Sequence, residues 1–471
     1  MVKHLQLSFF LFFVLSSALS FGQNYRDSLV NSESIIDRII ITGNNKTKEH
    51  IITRELLFHE GDTLPKYVLE TSIEKSRENL MNIGLFNFVD IKYFQGIGEH
   101  TDVHIQVTER WYLWPMPIFE IADRNFNEWF SKKDLSRTNY GMYVRQENFR
   151  GRDEILQVQF LLGYSQRLGL AYTIPYINRK QNLGFTAGVF TTRNHEIAYN
   201  TYQNKLLFYK DPDRYVRRDL SAFVRVTKRN GLYQYFNTTF EYKKVSTVDT
   251  VLEMNNDFFI DGKTQQQYLS IGWNFRLDKR DYQAYAQRGY LFEADIYKTG
   301  FGLLKNEPHL IGLSLAFRKY QPIAQRFNIS GMVKGRVVQR DDAPYSNQRA
   351  LGYGNDYIRG YDYYVMNGQN FALFRSNFKY TLMPTKVYKA PIIRSDKFRL
   401  IPVSMYLNAF FDAGYVSDRQ YAEFNPLNNS WQYSYGIGYD YVTYYDLVFR
   451  FEFAINRLNE SGLFFHIGTS F

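Results

Sequence analysis

From Trp111 to the end of the chain, apolar and polar residues alternate along successive runs of about ten residues. In the run Phe327–Val337 the odd positions are apolar residues or glycine, whereas Lys334 and Arg336 occupy even positions. Successive side chains of a β-strand point to opposite faces of the sheet, so each run would have one apolar and one polar face. Such strands suit a wall with lipid outside and water inside, whereas a soluble sandwich would bury its apolar face.

The composition excludes other classes of protein. None of the 471 residues is cysteine, which removes disulfides, thiolate metal sites and thiol catalysis. No apolar run long enough for a transmembrane helix follows the N-terminus, so a helical membrane protein is excluded. The net charge is +10, but lysine and arginine are scattered along the chain, so we expect no nucleic-acid partner. The aromatic content of 18% and the alternation favour an all-β transmembrane barrel.

The length of the alternating region predicts the number of strands. At roughly 22 residues per strand with its half-loops, residues 111–471 accommodate about sixteen antiparallel strands. We expect the first strand near Leu113–Ala122 and the last at Gly462–Phe471. The terminal Phe471, which follows an alternating strand, resembles the C-terminal signal that the outer-membrane assembly machinery reads.

Residues 1–22 have the pattern of a secretory signal peptide. The basic residue Lys3 precedes the apolar stretch Leu5–Leu15, and small residues follow. Cleavage near this point would leave Gln23 as the first mature residue, and the mature protein would be exported.

Residues 35–110 have the pattern of a small α+β domain. An extended apolar run comes first, and Thr47 then has the position of an N-cap for a helix that runs to Gly61. Pro65 opens a second helix, which Gly84 closes. Two more extended runs follow, so the expected order is strand, helix, helix, strand, strand.

The segment Leu351–Phe371 is too polar and glycine-rich for a strand, yet too aromatic for an ordinary solvated loop. At its centre are Ile358, Arg359, Gly360 and Tyr361, where glycine permits a tight tip that a larger residue would block. An arginine on such a tip needs a counter-charge.

Asp412 is the candidate for that counter-charge, and Gly414 follows it two residues later. The apolar positions before it, such as Leu407, have the opposite phase, so Asp412 would face the lumen. Arg359 and Asp412 would then make a charge-assisted contact that holds the loop down, and a guanidinium and a carboxylate can form such a contact through two hydrogen bonds. The alternative is that both residues line a wet pore, where the pair would contribute less than about 1 kcal/mol.

The N-terminal domain resembles a POTRA domain, and a single such domain fits before the barrel. The resemblance lies in the stretch ITGNNKTKEHIITREL, the Gly61-Asp62 pair and the stretch NIGLFNFVDI. A POTRA domain would receive an unfolded client protein, or a periplasmic partner, by strand addition to an open sheet edge. Residues 91–94 or 103–107 would form that edge. The alternative is a spacer role for the domain.

The barrel resembles the BamA/TamA superfamily, and with the POTRA domain it is similar to the bacterial surface antigen family. The tip at residues 358–361 resembles the [VI]-R-G-[FY] motif, which lies on a long extracellular loop folded back into the lumen. Asp412 and Gly414 resemble the F-x-D-x-G motif, here with Phe410 two residues before the aspartate. Residues 277–290 resemble a D-x-R-D…G segment.

The resemblance implies an outer-membrane assembly or translocation factor of a Gram-negative bacterium, with membrane lipid around the barrel and the POTRA domain in the periplasm. Its barrel would open sideways at the seam between the first and last strands, so that client strands are inserted or translocated there. The alternative is a passive outer-membrane pore or a surface-structural barrel, which needs neither a POTRA domain nor a tethered loop.

Four residues mark the expected seam. Pro115 and Pro117 lack backbone donors and would weaken the first strand, and Gly462 and Gly468 would soften the last. Alternatively, both prolines end the linker, and the first strand begins at Ile118.

Histidines offer the only hint of catalysis. His100 and His104 would lie on one strand face, which could be half a metal site, but a solvated strand is the simpler interpretation. His466 has no serine and acid nearby in the pattern to complete a triad. We therefore expect no enzymatic activity, no metal and no cofactor.

Overall fold

A computed structural model of the protein describes residues 33–96, 98–121, 138–339, 343–443 and 445–468. The predicted signal peptide at residues 1–22, Ala122 at the end of the predicted first strand, and Phe471 lie outside these residues.

The N-terminal domain is a four-stranded sheet with two helices. Its elements are β1 Glu33–Thr42, α1 Glu49–Thr53, β2 Thr63–Pro65, α2 Lys66–Asn82, β3 Phe86–Gln95 and β4 His100–Glu109. Across the sheet the order is β2-β1-β4-β3, with β4 parallel to β1 and antiparallel to β3. The predicted order lacked the short β2. Residues 91–94 belong to β3, which is an edge strand, whereas residues 103–107 belong to the central strand β4.

The first helix differs from its prediction. The N-cap prediction for Thr47 is wrong, because α1 begins at Glu49 and Lys48 precedes it without a side-chain cap. The Thr47 hydroxyl instead donates to Glu109 Oε1 at 2.7 Å, since the end of β4 lies beside it. The helix ends at Thr53 instead of running to Gly61. The apolar residues beyond Thr53 still enter the domain core, which includes Ile36, Ile51, Ile52, Leu56, Phe58, Leu69 and Leu80.

Strands make up most of the described residues after the N-terminal domain. The strands are β5 Leu113–Ile121, β6 Thr138–Phe149, β7 Glu154–Gly163, β8 Ser165–Ile174, β9 Leu183–Asn194, β10 Glu196–Tyr202, β11 Lys205–Lys210, β12 Arg217–Asn230, β13 Gln234–Thr247, β14 Gln265–Asp278, β15 Gly289–Thr299, β16 Leu310–Ala324, β17 Phe327–Val338, β18 Arg349–Leu351, β19 Met366–Asn367, β20 Asn370–Lys389, β21 Leu400–Ser417, β22 Gln432–Thr443, β23 Val448–Asn456 and β24 Ser461–Gly468. Strands β10 and β11 pair with each other, as do β18 and β19, and the other strands form one 16-stranded sheet. The prediction of about sixteen antiparallel barrel strands is confirmed.

The alternation of side chains in the barrel follows the predicted phase. In β20, Arg375, Asn377 and Lys379 are buried inside, whereas Phe378 and Leu382 are exposed on the outside. Alternate residues of a strand point to opposite faces, so the apolar band lies outside and the polar residues line the lumen.

Short helices occur only in the connections between the described strands. Helix α3 is Asp249–Met254 and helix α4 is Asp396–Arg399, and single 3-10 turns occupy Ile260–Gly262, Tyr345–Asn347 and Ala422–Phe424. No helix within the described ranges is long and apolar enough to cross a membrane.

The barrel has two rims: at one rim the loops bond to each other, and at the other they meet the N-terminal domain. At the far rim, buried asparagines join the β10–β11 connection to the loop after β21. The backbone N–H of Asn204 donates to Asn425 Oδ1 at 2.9 Å, and its side chain donates to Asn428 Oδ1 at 3.1 Å. The N-terminal domain sits at the opposite rim, called here the domain-side rim.

A buried ion pair joins the N-terminal domain to the domain-side rim. Arg229, at the end of β12, donates to both carboxylate oxygens of Glu55 at 2.5 and 2.6 Å. Burial raises the pKa of the Glu55 carboxyl, but hydrogen bonds and charges from Arg229 and Arg54 outweigh this effect, so its pKa lies below the ordinary value. A second pair joins Arg110, which follows β4, to Asp446 in the turn between β22 and β23 at 2.7 Å.

Replacing Glu55 with alanine should destabilise the docked N-terminal domain by roughly 3–5 kcal/mol, because the guanidinium of Arg229 would remain buried without its carboxylate. Because the folded-state pKa of Glu55 is lowered, its contribution is present at neutral pH and is lost as the pH falls through that lowered value. Denaturant-dependent hydrogen exchange of α1 amides would measure both effects. Asp102→Ala, which breaks the exposed pair with Arg38, is the control and should change little. Equal effects of the two variants would contradict the role assigned to Glu55.

Candidate functional site

The loop between β17 and β20 enters the barrel lumen, and its tip is residues 358–361. The side chains of Ile358, Arg359 and Tyr361 are 1%, 1% and 2% exposed. Gly360 has φ +81°, a left-handed conformation that favours glycine. A Cβ at this position would also lie 3.0 Å from the Ala454 side chain on β23. The glycine therefore allows both the turn and the close approach of the tip to the barrel wall.

The structure brings Arg359 and Asp412 into direct contact. Arg359 Nε donates to Asp412 Oδ2 at 2.7 Å, and Nη2 donates to Oδ1 at 2.5 Å, so the contact is bidentate. The backbone N–H of Arg359 also donates to Asp412 Oδ2 at 3.2 Å. Both side chains are buried, at 1% and 0% exposure. A bidentate guanidinium–carboxylate contact is among the strongest and most directional polar contacts in proteins.

The remaining guanidinium donors of Arg359 also have acceptors. Nη1 donates to Asn377 Oδ1 at 2.7 Å and to Glu452 Oε1 at 3.1 Å, and Nη2 donates to the carbonyl oxygen of Ser376 at 3.0 Å. The guanidinium carbon lies 3.9 Å from the centre of the Phe410 ring, which is within the range of a cation–π contact. Arginine has five N–H donors, and here each of them is used.

The tip is held by four adjacent strands, β20 to β23, which we call the anchor wall. Tyr361 donates its hydroxyl hydrogen to Gln432 Oε1 at 3.1 Å and accepts the backbone N–H of Arg457 at 3.3 Å. The carbonyl oxygen of Gly360 accepts from Asn456 Nδ2 at 3.0 Å. The tip is therefore held through the Tyr361 hydroxyl and the Gly360 carbonyl as well as through its arginine.

Gly414 provides space for the tip. A Cβ at Gly414 would lie 2.6 Å from Ile358 Cδ1 and 2.8 Å from Leu351 Cδ1. Both of these side chains belong to a buried apolar cluster under the loop. The sequence predicted that Gly414 is part of the site, and the structure gives it a steric explanation.

Sequence reasoning did not assign Asn377 and Glu452 to the site. Both residues occupy the lumenal phase of their strands, where the alternation could have marked them as candidates. The alternation does not indicate which lumenal polar residue meets the loop, because strand register and loop path decide that.

The first barrel strand contains both seam prolines. Strand β5 begins at Leu113, so the alternative that the strand starts at Ile118 is wrong. The backbone N–H of Glu147 on β6 donates to the carbonyl oxygen of Tyr112 at 2.7 Å. Bonded and non-bonded pairs alternate in an antiparallel ladder, so the backbone groups of Pro115 and Pro117 point away from β6. The two prolines therefore remove donors from the outer edge of β5 without breaking its ladder with β6.

In the last strand, the backbone groups of the two glycines point toward the neighbouring strand, unlike those of the two prolines in β5. The backbone N–H of Asn456 donates to the carbonyl oxygen of Glu460 at 3.0 Å, which places Gly462 and Gly468 in the phase that bonds to β23. The odd-numbered residues of β24 direct their backbone groups to the other edge. Within the described residues, β5 and β24 are the two ends of the sheet and do not pair with each other.

His100 and His466 have carboxylate partners. The ring of His100 lies 2.7 Å from the carboxylate of Asp37 on the exposed face of the N-terminal domain. His466 faces the lumen, as its phase predicts, and lies 3.0 Å from Asp362 and 3.3 Å from Glu452. Among the described residues, no group of three or more histidine, aspartate and glutamate side chains is arranged to hold a metal ion.

The fold and the lumenal site define a barrel preceded by one POTRA domain, and comparisons with known proteins agree. Residues 34–110 match the family model of the POTRA domain, described as a surface antigen variable number repeat. Residues 148–471 match the model of the Omp85 superfamily domain, which covers more than half of the chain. The protein belongs to the Omp85 superfamily of outer-membrane assembly and translocation proteins.

Two solved structures share the fold at low sequence identity. BamA from Haemophilus ducreyi lacking POTRA domains 1–3 is 13% identical, covers 93% of this chain and 85% of its own, and has a TM-score of 0.50. CdiB from Escherichia coli is 10% identical, covers 93% of this chain and 77% of its own, and has a TM-score of 0.53. No curated protein matches the chain.

Arg359→Ala and Asp412→Ala should each destabilise the barrel by roughly 3–5 kcal/mol, because either change leaves a buried charge without its main partner. The double variant should lose less than the sum, since each single change already removes the shared contact. The fraction of folded barrel after heating, measured by gel mobility, would give the coupling energy. Additive losses would show that the two residues do not act as a pair.

Gly414→Ala should loosen the loop, because the added methyl group would overlap with Ile358 and Leu351. The expected cost is roughly 1–3 kcal/mol by the same heating assay. Gly272→Ala on β14 is the matched control, since its nearest heavy atom would be 4.0 Å away. Similar losses in the two variants would contradict a specific contact between Gly414 and the loop.

Proposed function

We propose that the protein is an outer-membrane assembly or translocation factor whose POTRA domain receives an unfolded client protein in the periplasm. The observation that supports this most strongly is the open edge of β3, on a domain docked at the barrel rim. In this proposal residues 1–22 direct export, Phe471 is the assembly signal, and membrane lipid surrounds the barrel.

The edge of β3 has free backbone groups at alternate residues. The backbone N–H of Gly96 donates to the carbonyl oxygen of His100 at 2.7 Å, which fixes the phase of the ladder between β3 and β4. The backbone groups of Val89, Ile91, Tyr93 and Gln95 therefore point away from β4. An extended client segment can add to these groups as a further strand.

The seam is the second element of the proposal. A closed barrel pairs every backbone group inside the membrane, so a factor that inserts strands must leave some of them replaceable. The outer edge of β5 lacks the backbone donors that Pro115 and Pro117 would otherwise supply. We propose that the seam between β5 and β24 opens laterally to admit a client strand.

The lumen favours this function over a passive pore. A pore needs an open path, whereas here a loop occupies the lumen and its arginine is fully bonded to the anchor wall. The POTRA domain would likewise be unnecessary for passive diffusion. An assembly factor uses both features, because the loop supports the wall beside the seam while the domain delivers the client.

Tyr93→Pro should weaken binding of an extended peptide to the POTRA domain, because proline removes one outward-facing donor. A synthetic peptide of residues 461–471 is a suitable probe, since it is a strand that ends in an aromatic residue. Loss of one hydrogen bond worth about 1 kcal/mol predicts a roughly fivefold rise in Kd. Tyr93→Ala keeps the N–H but also loses the hydroxyl contact with Glu70, so it is the control. Equal binding by both variants would favour the spacer role.

Locking the seam with a disulfide should stop client assembly. The chain has no native cysteine, so Ile118→Cys with Gly468→Cys, and neighbouring registers, can be tested on a clean background. A control pair, Phe119→Cys with Tyr140→Cys, joins β5 to β6, which are already paired. Assembly of an outer-membrane barrel into proteoliposomes should fail in the oxidised seam variant and recover after reduction. Normal assembly with a fully crosslinked seam would rule out lateral opening and favour the pore.

A further inference from the structure

The turn between β14 and β15, residues 279–288, is buried although it lies at the domain-side rim. Its middle residues Ala284, Tyr285 and Ala286 are 6%, 3% and 0% exposed. Loops at a barrel rim normally run over the surface, because a buried loop must satisfy its own polar groups. This turn, which we call the floor turn, therefore needs an explanation.

The floor turn is closed by its own aspartate. Asp281 Oδ1 accepts the backbone N–H groups of Tyr282, Gln287 and Arg288, at 2.8, 3.0 and 3.2 Å. These three bonds draw the two ends of the turn together. The middle residues are left to project as a compact unit into the barrel.

The projecting part contacts lumenal side chains on the adjoining part of the wall. Tyr285 donates its hydroxyl hydrogen to Asp440 on β22 at 2.7 Å, and its ring lies 4.6 Å from the ring of Tyr406 on β21. The ammonium of Lys379 on β20 lies 4.3 Å from the centre of the Tyr285 ring. The carbonyl oxygen of Gln287 accepts from Asn328 on β17. The turn thus starts between β14 and β15 and contacts four further strands inside the lumen, β17, β20, β21 and β22.

The POTRA domain holds the floor turn from below. Asn82, the last residue of α2, donates through Nδ2 to the carbonyl oxygen of Asp281 at 2.9 Å. Its Oδ1 accepts the backbone N–H of Gln283 at 2.9 Å. Glu78, one helical turn earlier, pairs with Arg288. Two residues on one face of α2 therefore bond to both ends of the turn.

We propose that the floor turn is a plug that closes the domain-side end of the lumen, and that Asn82 is the residue that positions it. The proposal goes beyond the assembly function, since it concerns access to the lumen whatever the client is. Movement of the POTRA domain would withdraw Asn82 and Glu78 and release the plug. The contacts on the domain are few, polar and at one helix end, so their loss would free the turn without unfolding the domain.

The plug and the loop tip meet in one ionic network. Arg450 Nε lies 3.0 Å from Asp440, which holds Tyr285, and 3.9 Å from Glu452, which holds Arg359. Release of the plug would therefore remove a hydrogen bond from Asp440, whose partner Arg450 lies beside Glu452. This contact route links the POTRA domain to the tip through side chains that touch in sequence.

Access to a lumenal chamber tests the proposal, because Arg280 of the floor turn and Tyr357, just before the loop tip, both line it. This chamber has a volume of about 480 Å³, and Asn355 is one of its exposed lining residues. In full-length protein in lipid nanodiscs, the rate at which a hydrophilic maleimide labels Asn355→Cys would measure access to the chamber. With the native plug, labelling should be slow. Adding Asn82→Ala should raise the labelling rate about tenfold. Destabilising the closed form by about 1.4 kcal/mol raises the population of the open form tenfold.

Graded and control variants separate positioning from general damage. Asn82→Asp keeps the acceptor for Gln283 but loses the donor to Asp281, so its rate should be intermediate. Tyr285→Ala should open the floor directly. Asn178→Ala alters another domain-side turn, in which the Asn178 side chain accepts the backbone N–H groups of Asn182 and Leu183. This variant should leave the labelling rate of Asn355→Cys unchanged. Gel mobility after mild heating should confirm that each variant is folded.

A disulfide between Asn82→Cys and Gln283→Cys gives the reverse test. When oxidised, it should suppress labelling of Asn355→Cys to or below the native rate. Reduction should raise the labelling rate, because the reduced variant lacks the Asn82 amide. Fast labelling with the native plug would overturn the proposal, as would unchanged rates in both Asn82→Ala and Tyr285→Ala. An increase for Tyr285→Ala alone would overturn the role of Asn82.

Discussion

The pairing of a fully buried guanidinium with a buried carboxylate is the interaction on which the interior of this barrel depends. Arg359 can enter the lumen only because Asp412, Asn377, Glu452 and a backbone carbonyl together satisfy its five donors. Removal of a buried charge from water costs several kcal/mol unless such partners compensate for it. The loop therefore has one well-defined position, with the tip against the anchor wall.

The position of the anchor wall gives this pairing its functional interest. Strand β23 belongs to the wall and is paired with β24, the last strand before the seam. His466 of β24 reaches back to Asp362 of the loop at 3.0 Å and to Glu452 at 3.3 Å. The residue that follows the loop tip is thus bonded to β24, the strand that would move under the proposed lateral opening. Proline at the outer edge of β5 and a bonded loop behind β24 make the two sides of the seam unequal.

The barrel could be predicted from sequence because its main signal is local. Alternation with a period of two residues gave the lumenal phase of Asp412, since lipid and water impose opposite chemistry on the two faces. The length of the alternating region gave the strand number. The short motif around Arg359 is also a local signal. It indicated a charged loop tip, and a charge in a confined space needs a partner. Pairing between Arg359 and Asp412 followed from these two facts.

Other features depend on contacts between distant parts of the chain, which periodicity does not reveal. Thr47 has the sequence position of an N-cap, but the end of β4 supplies Glu109 and binds its hydroxyl instead. The edge strand of the POTRA domain could not be chosen between β3 and β4, because a parallel pairing of β1 with β4 decides it. The buried floor turn and its contact with Asn82 join residues about two hundred positions apart.

Amide hydrogen exchange of the loop tip in lipid nanodiscs would test the anchoring of Arg359 most directly. The backbone N–H groups of Arg359 and Tyr361 donate to Asp412 and to Ile358 at 3.2 and 3.1 Å, so residues 357–361 should exchange as slowly as the strands of the anchor wall. In Asp412→Asn they should exchange much faster, while β14 and β15 stay protected. Exchange of the native tip as fast as that of the far-rim loop at residues 300–309 would show that the arginine does not hold the loop in the lumen.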